Sequence, residues 1–198
     1  MKKTLVLPFA FVFILTACNN TNETTETNTD TSVSSNTSTD ANTSSTTTSN
    51  NNVVTDEKSK EFMTKVANSG MAEVQMAKDA QQKATIDAVK SYAAMLERDH
   101  TAVGEQIKTF ASQRNVALPT STSADKQKMI DDMNKMTGKS FDKDYISMMI
   151  KSHNDGIKLF EDTKANASDV DIKNFADKTL PTLKMHLDSA KAIQKRYW

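Results

Sequence analysis

One cysteine, Cys18, in a chain of 198 residues excludes an intramolecular disulfide and leaves any metal site to ligands other than thiolates. With four glycines and three prolines there are few chain breakers, and apolar β-branched runs are nearly absent beyond the first residues. Strands therefore have little to be built from. Neither sign of charge dominates: 25 basic and 25 acidic residues cancel, no basic face or arginine cluster stands out, and nucleic acid is excluded as a partner. There is no nucleophile-and-base arrangement, glycine-rich phosphate loop or pair of redox cysteines, so hydrolase and nucleotide chemistry have no support. What the second half does contain is Ala, Lys, Met, Asp and Gln in abundance, which is helix-forming material for a single domain.

The one long apolar run is Leu5 to Leu15, behind the positive Lys2-Lys3 pair. It has the length of a signal-peptide core and is too short to span a bilayer. Leu15-Thr16-Ala17-Cys18 closes it and resembles the bacterial lipobox, in which the thiol is acylated and the cysteine becomes the new N-terminus. The alternative is an ordinary signal peptide with a coincidental cysteine. Residues 1–17 thus read as a lipoprotein signal peptide. Residues 18–55 read as an Asn/Thr/Ser-rich tether with almost nothing to bury. A flexible tether of that length reaches on the order of 30–35 Å from a membrane.

The folded part is residues 56–198. Apolar periodicity at about 100° per residue predicts a first helix from about Asp56 to Gln82, with Glu73 inside its apolar stripe and needing a partner there. A second helix, capped at Thr85, runs to about Arg114 with His100 in mid-stripe. Leu118-Pro119 and a Thr/Ser run mark a long connection, within which Ser123 caps a short helix from Ala124 to Met136 that Gly138 stops. A third long helix follows Ser140 to about Ala165, centred on His153. The fourth begins at Ser168, where Ser168-x-x-Asp171 has capping-box spacing, carries His186, and should kink at Pro181. Four helices of this kind predict an all-α four-helix bundle. The long helix 2 to helix 3 connection, with its short extra helix, favours the up-down-down-up order called ferritin-like.

Counting from the helix ends brings Glu73, His100, His153 and His186 to one level within about one or two turns. Three neutral imidazoles and a carboxylate suit zinc, or iron or manganese with water completing the shell. Glu97, Asp99 and Tyr145 are candidates for orienting the ligands. Gly70, Gly104 and Gly156, one turn from these groups, would leave room for a site. Glu97-x-x-His100 has the spacing of di-iron carboxylate bundles, but His186 has Leu183 where a partner acid should be, which argues against a di-iron centre. The eleven methionines offer thioethers to Cu(I) or fill irregular core gaps, and copper stands behind the other metals. The competing reading is a polar core layer in which Glu73 and Tyr145 hydrogen-bond the histidines and nothing else binds.

Ala72-Glu73-Val74, Met95-x-x-x-Asp99-His100, Phe141-Asp142-x-x-Tyr145 with His153, and Leu180-Pro181-x-x-x-x-His186-Leu187 together resemble the bacterial family called domain of unknown function 4142. The resemblance covers residues 56–195. It implies a ferritin-like fold and a place behind a signal peptide in the cell envelope, outer membrane included, with the domain in the periplasm. It implies no activity. The expectation is a lipid-anchored envelope protein whose bundle binds one transition metal for storage, sensing or redox protection; the alternative is a structural or partner-binding bundle with a hydrogen-bonded His/Glu layer. An enzyme is the least supported reading, since nothing identifies a substrate, and no protein partner is indicated. Anchoring has its own check: the wild type should enter the detergent phase on temperature-induced partitioning and Cys18→Ala should not, whereas two aqueous-phase proteins would rule it out.

Overall fold

The computed structural model describes residues 55–198; the segment expected to be a signal peptide, Cys18 and all but the last residue of the expected tether lie outside them. Five helices make up the described part: α1 (Glu57–Lys83), α2 (Asp87–Gln113), α3 (Ala124–Asn134), α4 (Gly138–Asn166) and α5 (Val170–Tyr197). There is no strand among the described residues. The turns Ala84–Ile86 and Ala167–Asp169 fold α1 onto α2 and α4 onto α5 as two antiparallel hairpins. The hairpins then pack side by side, α1 on α4 and α2 on α5.

End-to-end contacts fix the order. Asp142, near the start of α4, meets the start of α2, while Arg114, at the end of α2, meets the start of α5. The helices therefore run up, down, down, up, and the 114–137 connection crosses the full length of the bundle. α3 travels up the α1/α4 seam: Asn68 exchanges two hydrogen bonds with Ser123 at its start, and Asp79 and Lys83 hold Asn134 at its end.

Two carboxylates, the buried Asp142 and the half-buried Asp56, lock one hairpin to the other. α2 has no side-chain cap of its own; its N-cap residue is Ile86, not Thr85, and Asp142 from the other hairpin accepts from Thr85 N (3.0 Å) and Ile86 N (3.1 Å). At the opposite end, Asp56 caps α1 through Ser59 N at 3.0 Å and also accepts from Ser168 N and Asp169 N of the α4–α5 turn. Ser168 is thus not the cap of α5. Asp169 is, accepting from Asp171 N and Ile172 N. The short helix ends at Asn134 rather than Met136, and Gly138, at φ +62°, opens α4 instead of terminating α3. α5 is continuous across Pro181.

Phe62, Phe160 and Phe175 pack edge-on near one end, with ring centroids 4.9–6.1 Å apart. Tyr92, Phe141 and Tyr145 pack near the other. Polar side chains occupy the middle.

Arg114 and Asp169 are both buried and paired through two hydrogen bonds of 2.5 and 2.9 Å. The guanidinium, outweighing burial, holds the Asp169 carboxyl below its ordinary 3.8. A carboxyl depressed on folding stabilises the fold above its unfolded value, and the contribution is lost as pH falls through the folded one. Asp169→Asn should cost on the order of 1–3 kcal/mol at pH 7, because it removes the buried charge partner of the guanidinium and leaves it Asp171 alone among the carboxylates. Thermal melts of the two proteins should converge as pH falls below 3.8 and through the lowered folded-state value; a difference that stays constant with pH would be inconsistent with this role.

Candidate metal centre

An α-helix interior that must face three others can place one inward residue from each at a given level. Here α2, α4 and α5 each place a histidine. His100, His153 and His186 are 8%, 1% and 1% exposed, with ring centroids 5.3–5.5 Å apart in all three pairs. A ligand nitrogen from each lies within 4.8 Å of the other two. α1 contributes Glu73 beside them.

Each ring has one nitrogen committed to an acceptor. His100 Nδ1 donates to Glu73 Oε2 at 3.1 Å, His153 Nδ1 to the Met149 carbonyl at 2.8 Å, and His186 Nε2 to Asp99 Oδ2 at 3.0 Å. A carbonyl or an ionised carboxylate only accepts, so those nitrogens carry the protons. The lone pairs are then on His100 Nε2, His153 Nε2 and His186 Nδ1. His100 Nε2 is buried with no hydrogen-bond partner, and the other two face each other at 3.4 Å with no proton left to share.

Electrostatics favour the neutral form of His153 and His186 and the charged form of the acids. Burial, joined by His100 and His153, pushes His186 down to about 4 against the pull of Asp99. Burial also lowers His153, which Glu73 opposes. Burial works against ionisation of Glu73, yet His100, His153 and the Ser152 hydroxyl outweigh it and hold the carboxyl below the usual carboxylate range. Asp99 is also lowered, burial being overcome by Arg98 and His186.

Three buried histidines so arranged could hold a metal ion. Two imidazole nitrogens on a tetrahedral ion at about 2.0–2.1 Å are roughly 3.3 Å apart, close to the His153–His186 separation. Glu73 is not one of the three converging ligands: its Oε2 orients His100 and its Oε1 accepts from Ser152. Asp99 orients His186. Glu97 turns away, accepting from Gln81 Nε2 at 2.6 Å with Lys78 at 3.9 Å. Tyr145 lies eight residues before His153, about 12 Å along α4, and its buried hydroxyl, like that of Tyr92, has no hydrogen-bond partner. It orients none of the histidines. Ser152 and the Met149 carbonyl were not foreseen. A serine next to His153 falls off the apolar stripe, and a backbone acceptor four residues before a helical histidine leaves no sequence signal beyond its spacing.

A cleft of about 370 Å³ between α1, α3 and α4 reaches Glu73, Ser152, His100 and His153 from outside. Gly70 and Gly156 form part of its wall, and a Cβ at either would meet nothing within 4 Å. His186 does not border it. A fourth coordination position on the His100 and His153 side would thus face the cleft.

No curated protein matches the chain. Among solved structures, a crystal structure of a DUF305 fragment from Deinococcus radiodurans superposes with a TM-score of 0.64 at 10% identity, covering 72% of this chain and 98% of that one. The likeness is one of fold, that of a helical bundle. The family model described as domain of unknown function (DUF4142) matches residues 43–193, three-quarters of the chain and all four long helices to within a few residues of the end, and the chain belongs to that family.

Proposed function

We propose that this protein binds one transition-metal ion through His100, His153 and His186, for storage, sensing or redox protection, in an envelope domain tethered to a membrane by a lipid on Cys18. The observation that supports the reading is the convergence of three imidazole lone pairs whose other nitrogens are each held by a separate acceptor. A polar core layer without an ion would leave His100 Nε2 unsatisfied and two lone pairs opposed at 3.4 Å. Buried polar groups left unpaired cost on the order of 1–3 kcal/mol each, and an ion removes that cost. The donor set, three neutral imidazoles with an open position, suits zinc, iron or manganese. Glu73 and Asp99 would raise the basicity of His100 and His186 and fix their orientation.

Elemental analysis of the full chain, purified without a polyhistidine tag, tests the reading. About one equivalent of one metal is expected in the wild type and essentially none in His100→Ala/His153→Ala. A wild type that is empty and also refuses added Zn, Fe, Mn and Cu would overturn it. Asp99→Asn and Glu73→Gln keep the ligands but weaken their orientation, and each should lower metal affinity by about 10–100-fold in a competition titration. An unchanged affinity in both would mean that these carboxylates do not act through the imidazoles.

A further inference from the structure

The cleft beside the histidines is continuous in its lining with a second one. Met129 of α3 and Met148 of α4 border both the cleft of about 370 Å³ that reaches His100 and His153 and an outer cleft of about 340 Å³ between α3 and α4. Met76 of α1 lines the inner cleft beside Glu73; Met133 and Met136 line the outer one. Met129 and Met133, at i and i+4, lie on one face of α3, and Met136 follows just beyond its C-terminal end. Thioethers from three helices thus run from the outer cleft to the wall that carries two of the histidines.

Core filling does not require this distribution. The half of the core under α3 holds Met76, Met133 and Met149, with Met95, Met136 and Met148 packed against it, whereas the other half is built from Phe, Ile, Leu and Val with Met63 alone. Methionine as a general gap-filler would appear in both halves. The charges around the two mouths also differ. The inner cleft is bordered by Lys65, Lys126 and Lys151 with Asp155, and the outer one by Asp125, Asp132 and Asp144 with Lys128, so the outer mouth is the more acidic and the more favourable entrance for a cation. An anion has little to hold it at the inner mouth, because Lys65 pairs with Glu61 and Lys151 with Asp155.

We infer that Met129 and Met148, with Met76, Met133 and Met136 beside them, form a thioether site for a soft monovalent cation, Cu(I), on a route that enters at the outer cleft and ends at the histidines. Thioether sulfur selects Cu(I) over the harder divalent ions. The end point of the route rests on the proposed histidine site; the thioether site does not.

Two titrations of the full chain separate the possibilities: anaerobic Cu(I) competed with a chromophoric Cu(I) chelator, and Co(II) followed by its visible absorption. Met129→Leu/Met148→Leu, a volume-conserving change, should weaken Cu(I) retention at least tenfold and leave Co(II) uptake unaltered. His100→Ala/His153→Ala should lose Co(II) uptake and retain a Cu(I) site. The proposal is overturned if the methionine variant holds Cu(I) as tightly as the wild type, or if the wild type does not compete with the chelator. A wild type that takes Cu(I) in a methionine-dependent way but no Co(II) would uphold the thioether site and sink the histidine reading. Should the double variant not fold, Met129→Leu and Met148→Leu singly, each expected to lose part of the Cu(I) affinity, carry the same test.

Discussion

The level at which α4 and α5 sit against α1 and α2 is the constraint on which the rest of the molecule depends, and two aspartates hold it. Asp142 reaches from one hairpin to satisfy the bare amides at the start of α2, and Asp56 reaches back from the other to the α4–α5 turn. They act at opposite ends of the bundle, so neither hairpin can slide or tilt without breaking one set. A slip of one residue moves a helical side chain by 1.5 Å and about 100°. That is enough to turn His153 or His186 out of line with His100. The caps of the helices are therefore also the registration of the central layer.

That layer is divided between the hairpins. The first supplies His100, Glu73 and Asp99; the second supplies His153, His186, Ser152 and the Met149 carbonyl. Two of its contacts cross from one hairpin to the other, Ser152 to Glu73 and His186 to Asp99. Each ring has one nitrogen engaged by an acceptor, an allocation of hydrogen bonds that turns the other three nitrogens towards a common point. Burial drives His153 and His186 towards the neutral form, and two carboxylates and the Met149 carbonyl decide which nitrogen keeps the hydrogen.

Much of this is legible in the sequence because helical periodicity is a strong signal over 25 residues or more. The four long helices, their inward faces, the crossover with its short helix, and the shared depth of Glu73, His100, His153 and His186 all follow from spacing alone. What spacing does not carry is direction around a ring. Whether Glu73 faces a common centre or the back of one imidazole depends on rotations of a few ångströms, and projection on a helical wheel is blind to them. Long-range caps are hidden for a related reason. Thr85 and Ser168 have the residue types that cap helices locally, yet carboxylates 57 and 112 residues away occupy their amides. Glu97 and Tyr145 show the converse: suitable chemistry near the right stripe, taken up by Gln81 in one case and by the aromatic packing of Tyr92 and Phe141 in the other.

The crossover helix has a bearing on time as well as on place. α3 is 11 residues long and fully buries only Ile130 and Met133, while each long helix buries at least seven side chains. It is held mainly by the Asn68–Ser123 pair at one end and the Asp79, Lys83 and Asn134 contacts at the other. Regions with few buried contacts open locally at a fraction of the global unfolding free energy. Lifting α3 would uncover the α1/α4 seam, and with it the approach to His100 and His153, without parting the four long helices. The rate at which the interior exchanges with its surroundings is then a property of this one short segment, separable from the stability of the bundle.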